Sequence, residues 1–190
     1  MTTSFFGLQL ALALPPTHAL RPQLSAVVFA SQTASSLIAQ RNCWSQAARL
    51  VSGALTTATR GTWDLIRLRA DEQYEEWASG LEAMANWPAS AFGDDRSGDD
   101  SSDQREVLVT FIFLVQGGSN ADLTLGDACD LPESEWHQRE TYRRLLAIPP
   151  TLNFTGVLGS GLYLAPRPDQ PGFSSAVLTG EGFEYLDPIS

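Results

Sequence analysis

The first apolar segment of the chain alternates between leucine and other residues. From Leu8 to Leu14 every second residue is a leucine, as in a strand, whereas the alanines between them favour a helix. Pro15 and Pro16 end the segment whichever structure forms. The pattern therefore leaves this element open between strand and helix.

Apolar residues at helical spacing predict three helices in the first half of the chain. The first covers residues 23–40 and the second covers residues 42–59. The third begins at Asp71, whose carboxylate is suited to cap the first turn, and it ends before Pro88. We therefore expect a largely helical first half.

The second half of the chain carries the strand signals. Residues 106–116 are a nearly continuous run of β-branched and aromatic side chains, which predicts a strand buried on both faces at the centre of a sheet. Residues 157–164 and 176–178 predict shorter strands. A helix is predicted over residues 130–146, because an aspartate cap and an early proline open it.

A polar, acidic stretch at residues 93–104 separates the two halves and has the composition of a flexible loop. The chain is accordingly predicted to be one domain, with a helical half at 1–92 and a β-containing half at 105–190. The predicted fold class is α+β. In it, N-terminal helices pack on one face of a small, mainly antiparallel sheet, and one further helix crosses between the strands.

Charge is distributed unevenly along the chain. All twelve basic residues are arginine, which excludes a lysine Schiff base and the lysine of a phosphate-binding P-loop. Residues 1–70 hold six arginines and one aspartate, a formal +5, whereas residues 71–190 hold six arginines and twenty-one acids, a formal −15. Either the two halves attract each other or one of them binds a charged partner. A pI near 4.5 and scattered arginines disfavour nucleic acid as that partner.

Two features of the sequence bear on the compartment. Cys43 and Cys129 form neither a metal-binding nor a paired spacing, and we expect free thiols in a reducing compartment. The apolar run at residues 5–14 precedes a stretch that resembles a cleavage site, but residues 1–14 lack the basic residues of a signal peptide. The preferred prediction is a cytoplasmic protein, and export with a cleaved N-terminus is the alternative.

One set of candidate site residues lies within the predicted helical half. Trp63 is flanked by Arg60 and Arg67, and exposed tryptophan and arginine contribute much of the binding energy at protein interfaces. Packing in the core is the alternative interpretation of Trp63. The hypothesis is that these three residues form a surface that binds a protein partner.

A second set of candidate site residues lies in the predicted helix over residues 130–146. Glu133, His137 and Glu140 are spaced so that one face of a continuous helix would present all three. Such a face can bind a metal ion or a small ligand, or can hold a base against an acid. Acidic residues are also ordinary in the first turn of a helix, so this is the lesser hypothesis.

Five short motifs, in chain order, carry a resemblance to a known family. They are Leu8–Leu12, Glu106–Phe113, Leu145–Pro149, Leu164–Pro166 and Tyr185–Ile189. In these motifs the chain resembles a cyanobacterial and plastid family defined only as a domain of unknown function, number fifteen-seventeen, which begins with a helix at the first motif. At Pro15-Pro16 and Gly159-Ser160-Gly161 the chain departs from the family pattern. The resemblance implies a photosynthetic-lineage bacterium and a fold, and it supplies no catalytic motif.

The function predicted from these observations is a non-catalytic interaction or assembly protein. It would bind a protein partner through the arginine- and tryptophan-bearing helical half, near photosynthetic or membrane complexes. Peripheral association of the protein with a membrane is compatible with this role. Neither a cofactor nor nucleic acid is expected. The alternative is an enzyme or small-molecule-binding domain that uses Glu133, His137 and Glu140.

Overall fold

The structure is a computed structural model. It describes residues 2–85, 87, 91, 105–167 and 169–190 of the chain. The predicted helix end at Pro88 and the predicted loop at 93–104 lie outside the described residues.

An antiparallel sheet forms the centre of the fold. Its strands are β1 (Thr3–Leu14), β2 (Ala58–Ile66), β3 (Arg105–Gln116), β4 (Val157–Ala165) and β5 (Asp187–Pro188). Their order in space is β4-β3-β1-β2-β5, and every neighbouring pair is antiparallel. The predicted α+β class with an antiparallel sheet is confirmed.

Helices are distributed along the whole described chain. They are α1 (Leu20–Thr33), α2 (Leu37–Gly53), α3 (Ala70–Ala85), α4 (Asn120–Cys129), α5 (Arg139–Leu146), α6 (Ile148–Thr151) and α7 (Ser175–Leu178). Among the helices described, none is long and apolar enough to cross a bilayer. Cys43 and Cys129 are free thiols, as expected.

The two faces of β1 contribute to different cores. Leu8 belongs to a core that also contains Leu24 of α1 and Trp44 of α2. Phe5, on the opposite face, shares a core with Leu81 of α3, and its ring centre lies 5.4 Å from that of Trp77. The prediction that the helices pack on one face is therefore wrong. Helices cover both faces because both faces of the central strands are apolar.

The first element, which the sequence left open, is a strand. β1 pairs with β3 from Thr3 to Leu14 and with β2 from Phe5 to Leu12. Pairing on both sides outweighs the helix propensity of the alanines, so the helix that the family resemblance implies at residues 8–12 is wrong. Because β1 is the middle strand, cleavage before residue 20 would remove the centre of the sheet.

The predicted N-terminal helices have different boundaries in the structure. α1 ends at Thr33, and the Ser36 side chain caps α2 by accepting a hydrogen bond from the Ala39 N–H. α2 then ends at Gly53, so the helix predicted over 42–59 is too long. The threonine-rich sequence that follows favours extended backbone, and it leads into β2.

The elements predicted in the second half are partly confirmed. Residues 106–116 form a strand buried on both faces, between β1 and β4. The single helix over 130–146 is wrong, because Pro132 has extended backbone and only a short 3₁₀ turn, Glu133–Glu135, precedes α5. The strand predicted at 176–178 is also wrong, since the Ser174 hydroxyl caps a short helix there, α7.

Candidate partner-binding groove

Strand β2 is only partly covered on its outer side. β5 pairs with Arg60 and Gly61 alone, and the Ile189 N–H donates to the Thr59 carbonyl. Beyond these residues, no strand in the described part of the chain pairs with that side of β2. We call residues 62–66 on this side the open edge.

Strand pairing indicates how the backbone is oriented along the open edge. The Gly117 N–H donates to the Thr2 carbonyl, so the even-numbered residues of β1 face β3 and the odd-numbered ones face β2. Asp64 pairs with the odd-numbered Gly7 and so directs its backbone groups to β1, whereas Trp63 and Leu65 direct theirs to the open edge. Desolvation raises the pKa of Asp64, although a hydrogen bond from the Leu65 N–H to its carboxylate opposes the shift. Asp64 therefore occupies a backbone donor that another strand could use.

A groove of about 610 Å³ runs between β2, α4 and the segment before α5. We call it the Trp63 groove. Its apolar wall consists of Trp63 and Leu65 from β2, Leu123 from α4, and Trp136. The side chains of Leu123 and Trp136 remain 60% and 38% exposed, so this wall faces solvent.

The two tryptophans of the groove hold each other in place. Their ring centres are 5.8 Å apart at an interplanar angle of 76°, an edge-to-face arrangement. The Trp63 Nε1–H donates to the Trp136 carbonyl over 3.1 Å, and the Trp136 Nε1–H donates to the Leu131 carbonyl over 3.0 Å. Both indole donors are therefore satisfied within the protein, and the pair forms a pre-arranged aromatic surface.

Arg67 lies where β2 ends, at the mouth of the same groove. Its Nε is 3.7 Å from the carboxylate of Asp122 on α4, and its guanidinium passes close to Gly126, where a Cβ would be 2.8 Å from Nη2. Burial acts to raise the pKa of Asp122, but hydrogen bonds from the Gly118 N–H and Ser4, together with Arg67, outweigh burial and lower it. Asp122 therefore stays ionised and positions Arg67.

Carboxylates outnumber cations around the Trp63 groove. Among the described residues, Asp64, Asp127 and Asp130 line it, against the guanidinium of Arg67. The guanidinium of Arg67 is already paired with a carboxylate. The groove therefore favours a positively charged ligand.

A second groove, of about 440 Å³, lies on the other face of β2. We call it the Trp77 groove; its lining includes Thr62 and Asp64 of β2, Glu76 and Trp77 of α3, and Tyr185. Asp64 lines both grooves, because it lies at the open edge between them.

Gln9 also lines the Trp77 groove and has an unused hydrogen-bond acceptor. Its side chain is 1% exposed, and its Nε2 donates to Thr110 Oγ1 over 2.7 Å. Its Oε1 has no hydrogen-bond partner among the described residues. A donor group bound in this groove would find an acceptor in the sheet beneath it.

The structure divides the first predicted set of site residues. Trp63 and Arg67 line the same groove. Arg60 points to the other face of β2, because it is three residues from Trp63 in a strand, where alternate residues share a face. Its Nη1 donates to the Leu186 carbonyl over 3.1 Å and so anchors the segment that leads into β5.

The second predicted set does not share a helical face. Glu133 lies in the 3₁₀ turn, His137 lies before α5, and Glu140 pairs with Arg143 on α5. His137 Nδ1 is 3.6 Å from the Asp187 carboxylate, and His137 lines the Trp63 groove. Within the described residues no group of three or more histidine, cysteine or acidic side chains is placed to hold a metal ion.

Cys129 is the one thiol that lines the Trp63 groove among the described residues. Burial raises its pKa to about 12, although Arg144 and Arg67 act in the opposite direction. A cysteine nucleophile needs a lowered pKa, so this thiol is suited to packing more than to attack on a substrate.

Several residues of the site were missed in the sequence. Trp136 lies 73 residues from Trp63, and no spacing pattern connects the two. α4 was missed as well, although Ser119 caps it by accepting a hydrogen bond from the Asp122 N–H. A serine followed three residues later by an acid is a start signal for a helix and could have located it.

Comparisons of the chain with protein-family models, with curated proteins and with solved structures found no match. The family resemblance therefore stays a prediction from the sequence.

Proposed function

We propose that this protein is a non-catalytic interaction protein that binds a protein partner through the Trp63 groove. The observation that carries the proposal is the pair Trp63 and Trp136, whose rings are fixed by mutual packing and by hydrogen bonds while their groove stays open to solvent. Rigid aromatic residues lose little conformational entropy on binding and are common centres of binding energy.

The surroundings of the tryptophan pair also support partner binding. Leu123 adds exposed apolar area on one side, and Arg67 adds a cation at the mouth of the groove. An apolar centre with a charged rim is the usual arrangement at protein interfaces. The family resemblance adds an assembly role in a photosynthetic bacterium, and that part of the proposal rests on the sequence.

The chemistry of the groove supports binding more than catalysis. The thiol of Cys129 is held protonated by burial, and His137 faces the carboxylate of Asp187. A small ligand would nevertheless enter the same groove, so the alternative function through His137 can be tested at the same place.

The test is affinity purification of the tagged protein from native lysate at low and high salt. The variant Leu123→Arg places a positive charge on the exposed wall of the groove without entering a core, and Ile38→Arg is the matched control on α2, where the side chain is 76% exposed. We expect a co-purifying protein with the unchanged chain and with Ile38→Arg, and its loss with Leu123→Arg.

Two outcomes would contradict the proposal. Equal recovery of the partner with Leu123→Arg would show that the Trp63 groove is not the binding surface. Recovery of the protein alone under every condition would favour the alternative, which a screen of small ligands against the unchanged protein and His137→Ala would then examine.

A further inference from the structure

The open edge of β2 lies between two grooves that are on opposite faces of the sheet. The Trp63 groove is on the face of α4, and the Trp77 groove is on the face of α3. Thr62 and Asp64 line both. Any chain that runs along this edge would therefore contact both grooves at once.

The backbone of the open edge is suited to pair with one more strand. Beyond the bulge between Ala58 and Arg60, the pairing of β2 with β1 is regular up to Ile66, so the alternation of its backbone groups is undisturbed there. Trp63 and Leu65 direct their peptide groups outward. A charged residue on an edge strand disfavours unspecific pairing, so Asp64 restricts pairing at the open edge to a strand of complementary charge.

An added strand would place its side chains alternately in the two grooves. Residues of a strand alternate between the faces of a sheet, so every second side chain would reach the Trp63 groove and the others would reach the Trp77 groove. In recognition by strand addition, main-chain hydrogen bonds supply affinity and such alternating pockets supply specificity.

The charged side chains of the two grooves determine which side chains the added strand should carry. The Trp63 groove offers the carboxylates of Asp64, Asp127 and Asp130, and the Trp77 groove adds Glu76 and the unpaired Oε1 of Gln9. These acceptors suit arginine or lysine side chains. A second copy of this chain fits less well, because two such acidic edges would meet and the whole chain carries a formal charge of −10.

We infer that the open edge of β2 binds an extended, basic segment of the partner by β-strand addition, with alternate side chains in the Trp63 and Trp77 grooves. The inference deepens the proposed function and rests on it. The partner should therefore contain an extended segment whose basic side chains reach both faces of the sheet.

The test uses short capped peptides as probes. The first repeats arginine-arginine-valine-valine, so that an extended strand presents arginines on both of its faces. The second has glutamate in place of arginine, and the third is the basic peptide N-methylated along its centre, so that it keeps its charges but has lost its backbone donors. Binding to the unchanged protein is followed by fluorescence anisotropy of a labelled peptide. We expect the basic peptide to bind, the acidic peptide not to bind, and N-methylation to weaken binding by about tenfold or more.

Protein variants locate the contact. Asp64→Arg reverses the charge at the point shared by both grooves, and we expect about a tenfold loss of affinity for the basic peptide. Asp169→Arg changes the net charge equally at an exposed residue outside the linings given for both grooves, and we expect affinity to be kept.

The opposing outcomes are distinct from those of the lysate experiment. Equal binding of the N-methylated peptide, or of the acidic peptide, would overturn strand addition, while the proposed function would still be decided by Leu123→Arg. A dimer in light scattering that dissociates on Asp64→Arg would show a second copy at the edge and would also overturn the inference.

Discussion

The two outermost long strands of the sheet, β2 and β4, differ in the regularity and charge of their outer edges. Each lacks a paired strand there over most of its length within the described residues. β4 carries a bulge opposite Leu114 and Val115, two glycines, and no charged residue. β2 is regular from Arg60 to Ile66 and has Asp64 on its edge.

The features of β4 are explained by packing within the protein. Gly161 lies against Tyr163 and Ile112, and a Cβ at Gly159 would be 3.1 Å from the ring of Tyr74. The bulge breaks the ladder that another strand would need. The groove beside β4 has a single carboxylate, Glu82, in its lining. Packing does not account in the same way for the partly desolvated Asp64 carboxylate of β2 or for the pair that Trp63 of β2 forms with Trp136, which is why we propose binding at β2.

The largest expected effect is on partner binding at β2. Trp63→Ala removes the ring that packs on Trp136 and the donor to its carbonyl. We expect affinity for the basic peptide to fall by about 2 kcal/mol, which is typical of an aromatic residue at the centre of an interface. Leu158→Ala, at a 46% exposed position on β4, is the control and should leave affinity unchanged. Equal losses in both variants would remove the distinction between the two strands.

The next effect is on stability, and it belongs to β4. Gly161→Ala would put a Cβ 2.9 Å from Ile112 Cγ1 and in collision with the ring of Tyr163. We expect the free energy of unfolding to fall by about 1–3 kcal/mol in urea denaturation, with peptide binding unchanged. Gly53→Ala, where nothing lies within 4 Å of the added Cβ, should be neutral or stabilising. Loss of peptide affinity in Gly161→Ala would mean that β4 takes part in binding.

The difference between the strands also shows which structure the sequence could predict. The run at 106–116 was recognised because both faces of that strand are apolar, so every residue carries the same signal. The first strand was ambiguous because the alanines that favour a helix are, in the sheet, small residues packed against its other face. Pairing with distant strands makes the first element a strand, and a local sequence pattern carries no information about such pairing.

The site was predictable only in its individual residues. Trp63 and Arg67 were identified from residue type, but Arg60 was grouped with them as a neighbour in the sequence, and in a strand its separation of three residues from Trp63 places it on the opposite face. The rest of the groove comes from α4 and from Trp136, which tertiary packing brings to β2. Spacing within one segment therefore suggested a site that only the fold could complete.

A smaller effect is expected at the ion pair that orients Arg67. The folded-state pKa of Asp122 is lowered, so its contribution to stability is present above the ordinary value of 3.8 and is lost as pH falls through the folded-state pKa. Asp122→Ala should cost about 1 kcal/mol at neutral pH, because the carboxylate also stabilises the first turn of α4.

The measurement for Asp122 is the free energy of unfolding against pH. The two proteins should differ most at neutral pH and converge as pH falls from 3.8 through the lower folded-state pKa, below which the carboxylate is protonated in both the unfolded and the folded chain. A constant difference at all pH values would show that shape, and not charge, is what Asp122 contributes. Peptide affinity should fall modestly in parallel, since Arg67 loses its anchor.

The smallest expected effect is the change in stability when Asp64 is substituted. The sign of that change distinguishes a residue that serves binding from one that supports the fold. The folded-state pKa of Asp64 is raised by desolvation, so ionisation opposes folding, and this penalty grows as pH rises through the folded-state pKa. Asp64→Asn should therefore stabilise the protein by less than about 0.5 kcal/mol at neutral pH, with no gain below pH 3.8, while it weakens binding of the basic peptide.

Asp169→Asn is the control for Asp64, because it removes one negative charge at an exposed position outside the linings given for both grooves. Thermal unfolding at two pH values and peptide anisotropy measure both quantities on the same samples. A carboxylate that costs stability yet strengthens binding is retained for function. If Asp64→Asn instead lowered stability and left affinity unchanged, the open edge of β2 would be maintained by folding alone, as the edge of β4 is.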